Sequence, residues 1–190
     1  MAGVGAYPGS FNPPTIAHLA IAEAAVGQAG LRRVDLIVSR TPLGKGTVAL
    51  PTFEDRVGVL DAIAATRSWL AVRVTDAQLL ADISAGYDAV IVGADKWAQV
   101  MDPAWYGGSV VARDAAVDRL PRVLLAPRGA FPADGLEQLR VAAHHLDVSS
   151  TAVRAGRRDW MAPEAAAFDA ETGAWSDPGR YQRWRCARPG

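Results

Sequence analysis

"GVGAYPGSFNPPTIAHLAIAEAA", residues 3–25, decides how the rest of the chain is read. A short apolar run over Val4–Tyr7 gives way to Gly9, Ser10, Phe11, Asn12, Pro13 and Pro14, and a helix-like run carrying His18 follows. A simple reversal of the chain needs only one or two such turn residues. A Gly-Ser turn after a strand exposes backbone N–H groups, and two prolines fix the exit so that Thr15 opens the next helix with its orphan donors directed at the strand ends. Anions bind at such places. His18 stands three residues beyond Thr15, one turn in on the same face, so a hydroxyl and an imidazole N–H are placed to meet one phosphate as donors.

Outward from this stretch, short β-rich runs alternate with helix-like segments. Strands are expected near Val4–Tyr7, Val34–Ser39, Leu70–Val74, Ala89–Val92, Val123–Ala126 and, more faintly, Leu146–Val148. Helices are expected at Ile16–Gln28, stopped by Gly30; from Thr52 to about Thr66, with Asp55 three residues after the cap; and from a Thr75/Gln78 capping box to about Gly86. Ser109–Leu120 and Ala133–Ala143 complete the set. The pattern is α/β: a Rossmann-like, doubly wound parallel sheet covered by helices, in which ligands bind outside the carboxyl ends of the strands where strand order reverses. We expect one domain over residues 1–158 and a short C-terminal extension over 159–190, where "ETGAWSDPGRYQRWRCARPG" carries several aromatics. Trp160, Trp175, Tyr181 and Trp184 either pack back on the domain or make a subunit contact.

Composition bounds the function. The chain has 190 residues, half of them hydrophobic, enough for one sizeable core. Lys plus Arg equals Asp plus Glu at twenty each, so no global field draws the protein to nucleic acid or a membrane, and an anion site must be local. A single cysteine, Cys186, forms no internal disulfide, and three histidines supply no zinc motif; a reducing, cytoplasmic setting fits. The start lacks a basic region followed by an apolar one, and no apolar run is long enough to span a bilayer, so the chain reads as soluble and unprocessed.

Three familiar site motifs fail. Gly3 and Gly5 begin a G-x-G-x-x-G pattern, but Pro8 occupies the third glycine position and the glycines lie at or before the strand. "LGKGT" at 43–47 imitates a P-loop, yet Gly46 stands where Ser or Thr would bind magnesium. No G-x-S-x-G is present.

"GSFNPPTIAHL" resembles the signature of the HxGH nucleotidyltransferase superfamily, roughly G-[ST]-F-[DN]-P-x-[HT]-x-G-H, here in a Thr-x-x-His form. "VIVGADKW" (90–97) is similar to that family's strand-end G-x-D block, and "LDVSSTAVRAG" (146–156) to its late I-S-S-T-x-I-R block. "SRTPLGKG" (39–46), "TFEDRVGVLDAIA" (52–64) and "VLLAPRGAF" (123–131) resemble further family segments, the last of them in the nicotinate-mononucleotide adenylyltransferases, the nearest branch. An isolated helical His, or a Ser-Ser-Thr N-cap, is more often structural; three blocks in order favour the functional reading.

The resemblance implies transfer of AMP from ATP to a phosphate-bearing acceptor, with pyrophosphate leaving and no covalent intermediate, so catalysis would rest on positioning and on donors aimed at the α-phosphate. It implies that His18 stabilises the transition state and that Thr15 takes the first signature position, as in the pantetheine-phosphate adenylyltransferases. Lys45 would neutralise phosphate and touch the acceptor. Gly9, Ser10 and Phe11 would form the cradle, Gly93 and Asp95 would line the nucleoside, and Ser149, Ser150, Thr151 and Arg154 would hold the β- and γ-phosphates. Trp97 or Trp105 would stack on an acceptor ring, whereas Lys96 reads as a surface lysine. Magnesium would come with ATP, bridging its phosphates. The expected partners are thus ATP and a small phosphorylated acceptor, with a homo-oligomer left open. Two departures bear on specificity: Ala17 replaces the signature glycine, and "RVTDAQLLADISAGYDA" (73–89) replaces an acidic-Arg and S-Y-T-x-x-T-L stretch. They keep three alternatives open: another acceptor such as pantetheine phosphate or a secondary metabolite, CTP in place of ATP, or a degenerate nucleotide-binding protein without turnover.

Overall fold

The computed structural model describes residues 3–41, 50–127 and 135–188. Its centre is a parallel sheet of β1 (Val4–Pro8), β2 (Arg33–Ser39), β3 (Leu70–Thr75), β4 (Ala89–Gly93), β5 (Arg122–Ala126) and β6 (Glu137–Gln138), ordered β3-β2-β1-β4-β5-β6. All five strand pairings are parallel. β1 lies between β2 and β4, so the chain reverses its direction of winding beside β1, and the crevice outside the carboxyl ends opens there. The doubly wound fold expected from the alternating pattern is the fold observed.

The first five strands fall where the sequence puts them. In β2, β4 and β5 the apolar side chains are buried on both sheet faces, with Val34, Leu36, Val90, Ile91, Leu124 and Leu125 all at most 1% exposed, whereas β3, at the sheet edge, leaves Val74 39% exposed. α1 (Ile16–Ala29) begins at the Thr15 cap and ends at Gly30 in the left-handed region, φ 67°. α2 (Phe53–Ala65) has Thr52 as its cap, with Asp55 N–H donating to the Thr52 hydroxyl at 3.2 Å. α4 (Ala94–Met101) follows β4 directly, and α5 (Val110–Val117), within the expected Ser109–Leu120, is capped by Ser109.

Three expected elements differ. Residues 135–142 hold no helix; the chain instead pairs Glu137 and Gln138 with Leu124 and Leu125 as the sixth strand, and Arg122 forks onto the Glu137 carboxylate with two 2.7 Å bonds. Leu146–Val148 is not a strand but follows a 3-10 turn at Ala143–His145. The Thr75/Gln78 box does not form, because β3 runs through Thr75 and the Thr75 hydroxyl accepts from Ala77 N–H at 3.1 Å; only α3, Leu80–Ile83, follows.

The late part of the chain forms α6 (Ser150–Arg154), α7 (Pro163–Thr172) and α8 (Pro178–Cys186). α7 and α8 pack back on the sheet domain. Tyr181 is fully buried, its hydroxyl accepting from Thr52 N–H at 2.9 Å and donating to Asp55, and Glu164 pairs with Arg67 at 2.7 Å. Of the two fates left open for the C-terminal aromatics, Tyr181 and Trp175 take the first. Among the described residues no helix is long and apolar enough to cross a membrane.

Candidate active site

The turn between β1 and α1 is held in a conformation that ordinary residues avoid. Phe11 has φ 42°, in the left-handed region where a non-glycine residue is strained unless its surroundings fix it. Its ring is 1% exposed and packs edge-on to Tyr7, centroids 5.6 Å apart. Gly9 makes room for it: a Cβ there would sit 2.8 Å from the ring. The carbonyls of the turn are then satisfied from distant segments. Arg56 Nη1 donates to Ser10 O at 3.0 Å, Arg154 Nη1 to Asn12 O, the Ser150 hydroxyl to Pro13 O at 2.7 Å, and Ala162 N–H to Pro14 O at 3.0 Å.

His18 is fixed from two sides. Its ring lies 5.1 Å from that of Phe11, edge-on, while Nδ1 accepts from the Thr15 backbone N–H at 2.9 Å and lies 2.8 Å from the Thr15 hydroxyl. This is a capping box in which histidine takes the place of the usual Glu or Gln at the third helical position. Because a backbone N–H can only donate, Nδ1 carries the lone pair, and the proton of the neutral ring sits on Nε2. Thr15 is fully buried. Its hydroxyl therefore orients the imidazole from behind.

An open cleft of about 390 Å³ lies at the switch point. Gly9, Ser10, Phe11, His18, Gly93, Asp95, Ser149, Ser150, Thr151 and Arg154, every nucleotide-binding residue expected from sequence, line it. A smaller cavity of about 60 Å³ adjoins it, lined by Thr15, Ala17 and His18 with Gly93 and His145. A Cβ at Gly93 would fall 2.7 Å from the Asp95 carboxylate oxygen, so a larger residue there would displace that side chain. At the late motif, Ser149 caps α6 by accepting from Ala152 N–H at 3.1 Å, and Arg154 Nη2 reaches the Thr151 hydroxyl at 3.3 Å.

The acceptor residues expected from sequence are not brought together in the same way. Trp97 is half-buried against Val92 and Ala94, and Trp105 is 37% exposed with Lys96 Nζ 5.9 Å from its ring; neither tryptophan lines the cleft. Lys45 lies outside the described residues. Lys96, read as a surface lysine, is exposed and also lines the cleft.

Sequence reading missed Arg56. The resemblance of "TFEDRVGVLDAIA" to an Arg-bearing helix of the family marks the segment but gives Arg56 no role and no sign of which face it takes. In the fold it is 7% exposed, lines the cleft, and stacks over Phe53 at 5.5 Å. Burial pulls its pKa below the ordinary arginine value, against the raising influence of Glu54 and Tyr181. The guanidinium stays charged, which makes it a desolvated cation beside the cradle. Gln78, Leu80 and Ile83 also line the cleft, from the segment that departs from the nicotinate-mononucleotide pattern.

A curated relative from Salinibacter ruber, a probable nicotinate-nucleotide adenylyltransferase, is 28% identical over 185 aligned positions, covering 85% of this chain and 91% of the relative. Two solved structures of the Plasmodium falciparum nicotinic acid mononucleotide adenylyltransferase, one complexed with APC and one with NaAD, superpose with TM-scores of 0.67 and 0.66. Each covers 92% of this chain and 98% of the other, at 14% and 13% identity, a likeness of fold. The cytidylyltransferase-like family matches residues 6–156, from the first strand to just past Arg154, and the chain belongs to that family.

Proposed function

We propose that this protein transfers the adenylyl group of ATP to the phosphate of a mononucleotide acceptor, nicotinate mononucleotide foremost, and releases pyrophosphate. The observation that carries this reading is the meeting of His18, from the first helix, and Arg154, from the late motif, in the wall of one cleft. A phosphate oxygen of the acceptor attacks the α-phosphorus, the bond from the α-phosphorus to the bridging oxygen breaks, and the electron pair leaves with pyrophosphate. In such a reaction the protein contributes orientation and charge stabilisation. His18, with Nδ1 engaged as an acceptor, offers Nε2–H to the charge growing on the α-phosphate. Arg154, whose Nη1 and Nη2 also hold Asn12 O and the Thr151 hydroxyl, offers its remaining N–H groups to the leaving phosphates, and Asp95 accepts from ribose hydroxyls.

Magnesium enters as part of the nucleotide substrate. Among the described residues there is no group of three or more His, Cys, Asp or Glu side chains that could hold a metal ion. Solubility in the cytoplasm, with ATP and a small acceptor as partners, belongs to the same reading.

A second reading, a different acceptor, is favoured by one observation. Gln78, Leu80 and Ile83 line the cleft where the nicotinate-mononucleotide pattern has other residues. Pyrophosphate release from ATP and from CTP, each paired with nicotinate mononucleotide, nicotinamide mononucleotide and pantetheine phosphate, separates the readings. The first expects ATP with nicotinate mononucleotide to be fastest. Nucleotide binding without pyrophosphate from any pair would make the protein a degenerate binder.

A further inference from the structure

Asn12 is 7% exposed, and its side-chain Oδ1 accepts a hydrogen bond from Trp175 Nε1–H at 2.6 Å, across 163 residues of sequence. We propose that Trp175, beyond the span matched by the family, is a positioning residue for the phosphate-binding turn; this rests on the adenylyl-transfer reading above. Trp175 touches neither nucleotide nor acceptor in this role. It acts through Asn12.

The geometry gives it leverage. Asn12 follows Phe11, whose left-handed backbone persists only while its neighbours hold it, and the Phe11 ring is what His18 packs against. The backbone carbonyl of Asn12 is taken by Arg154, so one residue links the late motif, the strained position and the C-terminal segment. A buried amide oxygen without a donor is costly, and among the described residues the indole is the donor that Oδ1 has.

Trp175 is itself held rigidly. Its backbone N–H and that of Ser176 both donate to Asp169 Oδ1, at 2.6 and 3.0 Å, and its ring meets Phe168 edge-on at 6.0 Å. Asp169 is buried at the end of α7, and Thr172, also buried, caps Ala174 N–H at 3.1 Å. The segment 169–176 is thus a preformed mount that delivers one N–H to the turn. A tryptophan needed for packing alone would not require that aim.

The test uses the full chain. Trp175→Phe keeps an aromatic ring against Phe168 and removes the N–H; Asn12→Ala removes the acceptor. Each should lower kcat roughly tenfold, the worth of one hydrogen bond, with KM for ATP changed less than kcat and the folded state retained in thermal unfolding. The double variant should lose no more than either single, because both delete the same bond. Wild-type kcat in Trp175→Phe, or losses that multiply in the double variant, would overturn the proposal. Should Trp175→Phe fail to fold, Asn12→Asp decides: it keeps an oxygen opposite the indole and should recover most of the rate lost in Asn12→Ala, and equal loss in both overturns the role. A wild-type protein that releases no pyrophosphate with any acceptor defeats adenylyl transfer itself. An active wild type matched by Trp175→Phe defeats only the positioning role.

Discussion

Thr15 meets Nδ1 of His18 twice, through its backbone N–H at 2.9 Å and its hydroxyl at 2.8 Å. One residue thus both caps the helix and fixes which ring nitrogen carries the proton. Thr15→Val keeps the shape and removes the hydroxyl. It should lose about 1 kcal/mol of stability as a lost N-cap and several-fold in kcat, while Thr15→Ser preserves both. Chemical denaturation and steady-state kinetics on the two variants check this.

Arg56 and Arg154 grip the same turn, through Ser10 O and Asn12 O. Arg56→Met removes a buried cation and leaves a carbonyl without its donor, a cost of about 1–3 kcal/mol. kcat/KM should fall about tenfold or more, and Arg56→Lys should not restore it, because an ammonium cannot lie over the Phe53 ring as the planar guanidinium does. Pyrophosphate release measured with both variants decides.

Gly9 has no room for a methyl group. In Gly9→Ala the new Cβ would begin 2.8 Å from the buried Phe11 ring. Overpacking of this kind costs about 1–3 kcal/mol, and displacing the ring moves the surface against which His18 rests. The midpoint of urea unfolding should fall and ATP binding by calorimetry should weaken together. Unchanged binding would separate the cradle from the nucleotide.

Away from the site, the Tyr87 hydroxyl donates to the buried Asp35 carboxylate at 3.0 Å. Burial first, then the Asp35 charge and this bond, pushes the phenol up to about 12, from an ordinary value near 10. The folded state therefore favours the protonated phenol. Its stabilisation is complete below the unfolded value and is lost as pH rises from about 10 to about 12. Tyr87→Phe should show less loss of stability across that window than the wild type, measured as Tm against pH.

Much of this was legible from residue types alone. Gly30 and the Thr52 cap stop and start helices by local chemistry, and the Gly-Ser-Phe-Asn-Pro-Pro turn announces its own shape. The late block at 149–154 faces the turn because strand order brings it there, and the resemblance supplied that order. What stayed hidden depends on distant partners. The expected helix Ala133–Ala143 includes residues 137–138, yet pairing with β5 and the Arg122 fork outweigh that local preference. The capping role of His18 was masked because Glu or Gln usually fills that position. The inward face of Arg56 and the reach of Trp175 to Asn12 are set by packing across 46 and 163 residues, which no local pattern encodes.

The most direct measurement is pyrophosphate release from ATP and nicotinate mononucleotide by the wild type, His18→Ala and Arg154→Ala. Removing one donor aimed at transition-state charge costs roughly 10²–10³ in kcat, so the expected result is turnover by the wild type and a fall of that size for His18→Ala with its fold intact. Arg154→Ala should mainly weaken ATP. An unchanged rate in His18→Ala, or no dependence of ATP affinity on Arg154, would contradict the claim that the two motifs close on one triphosphate.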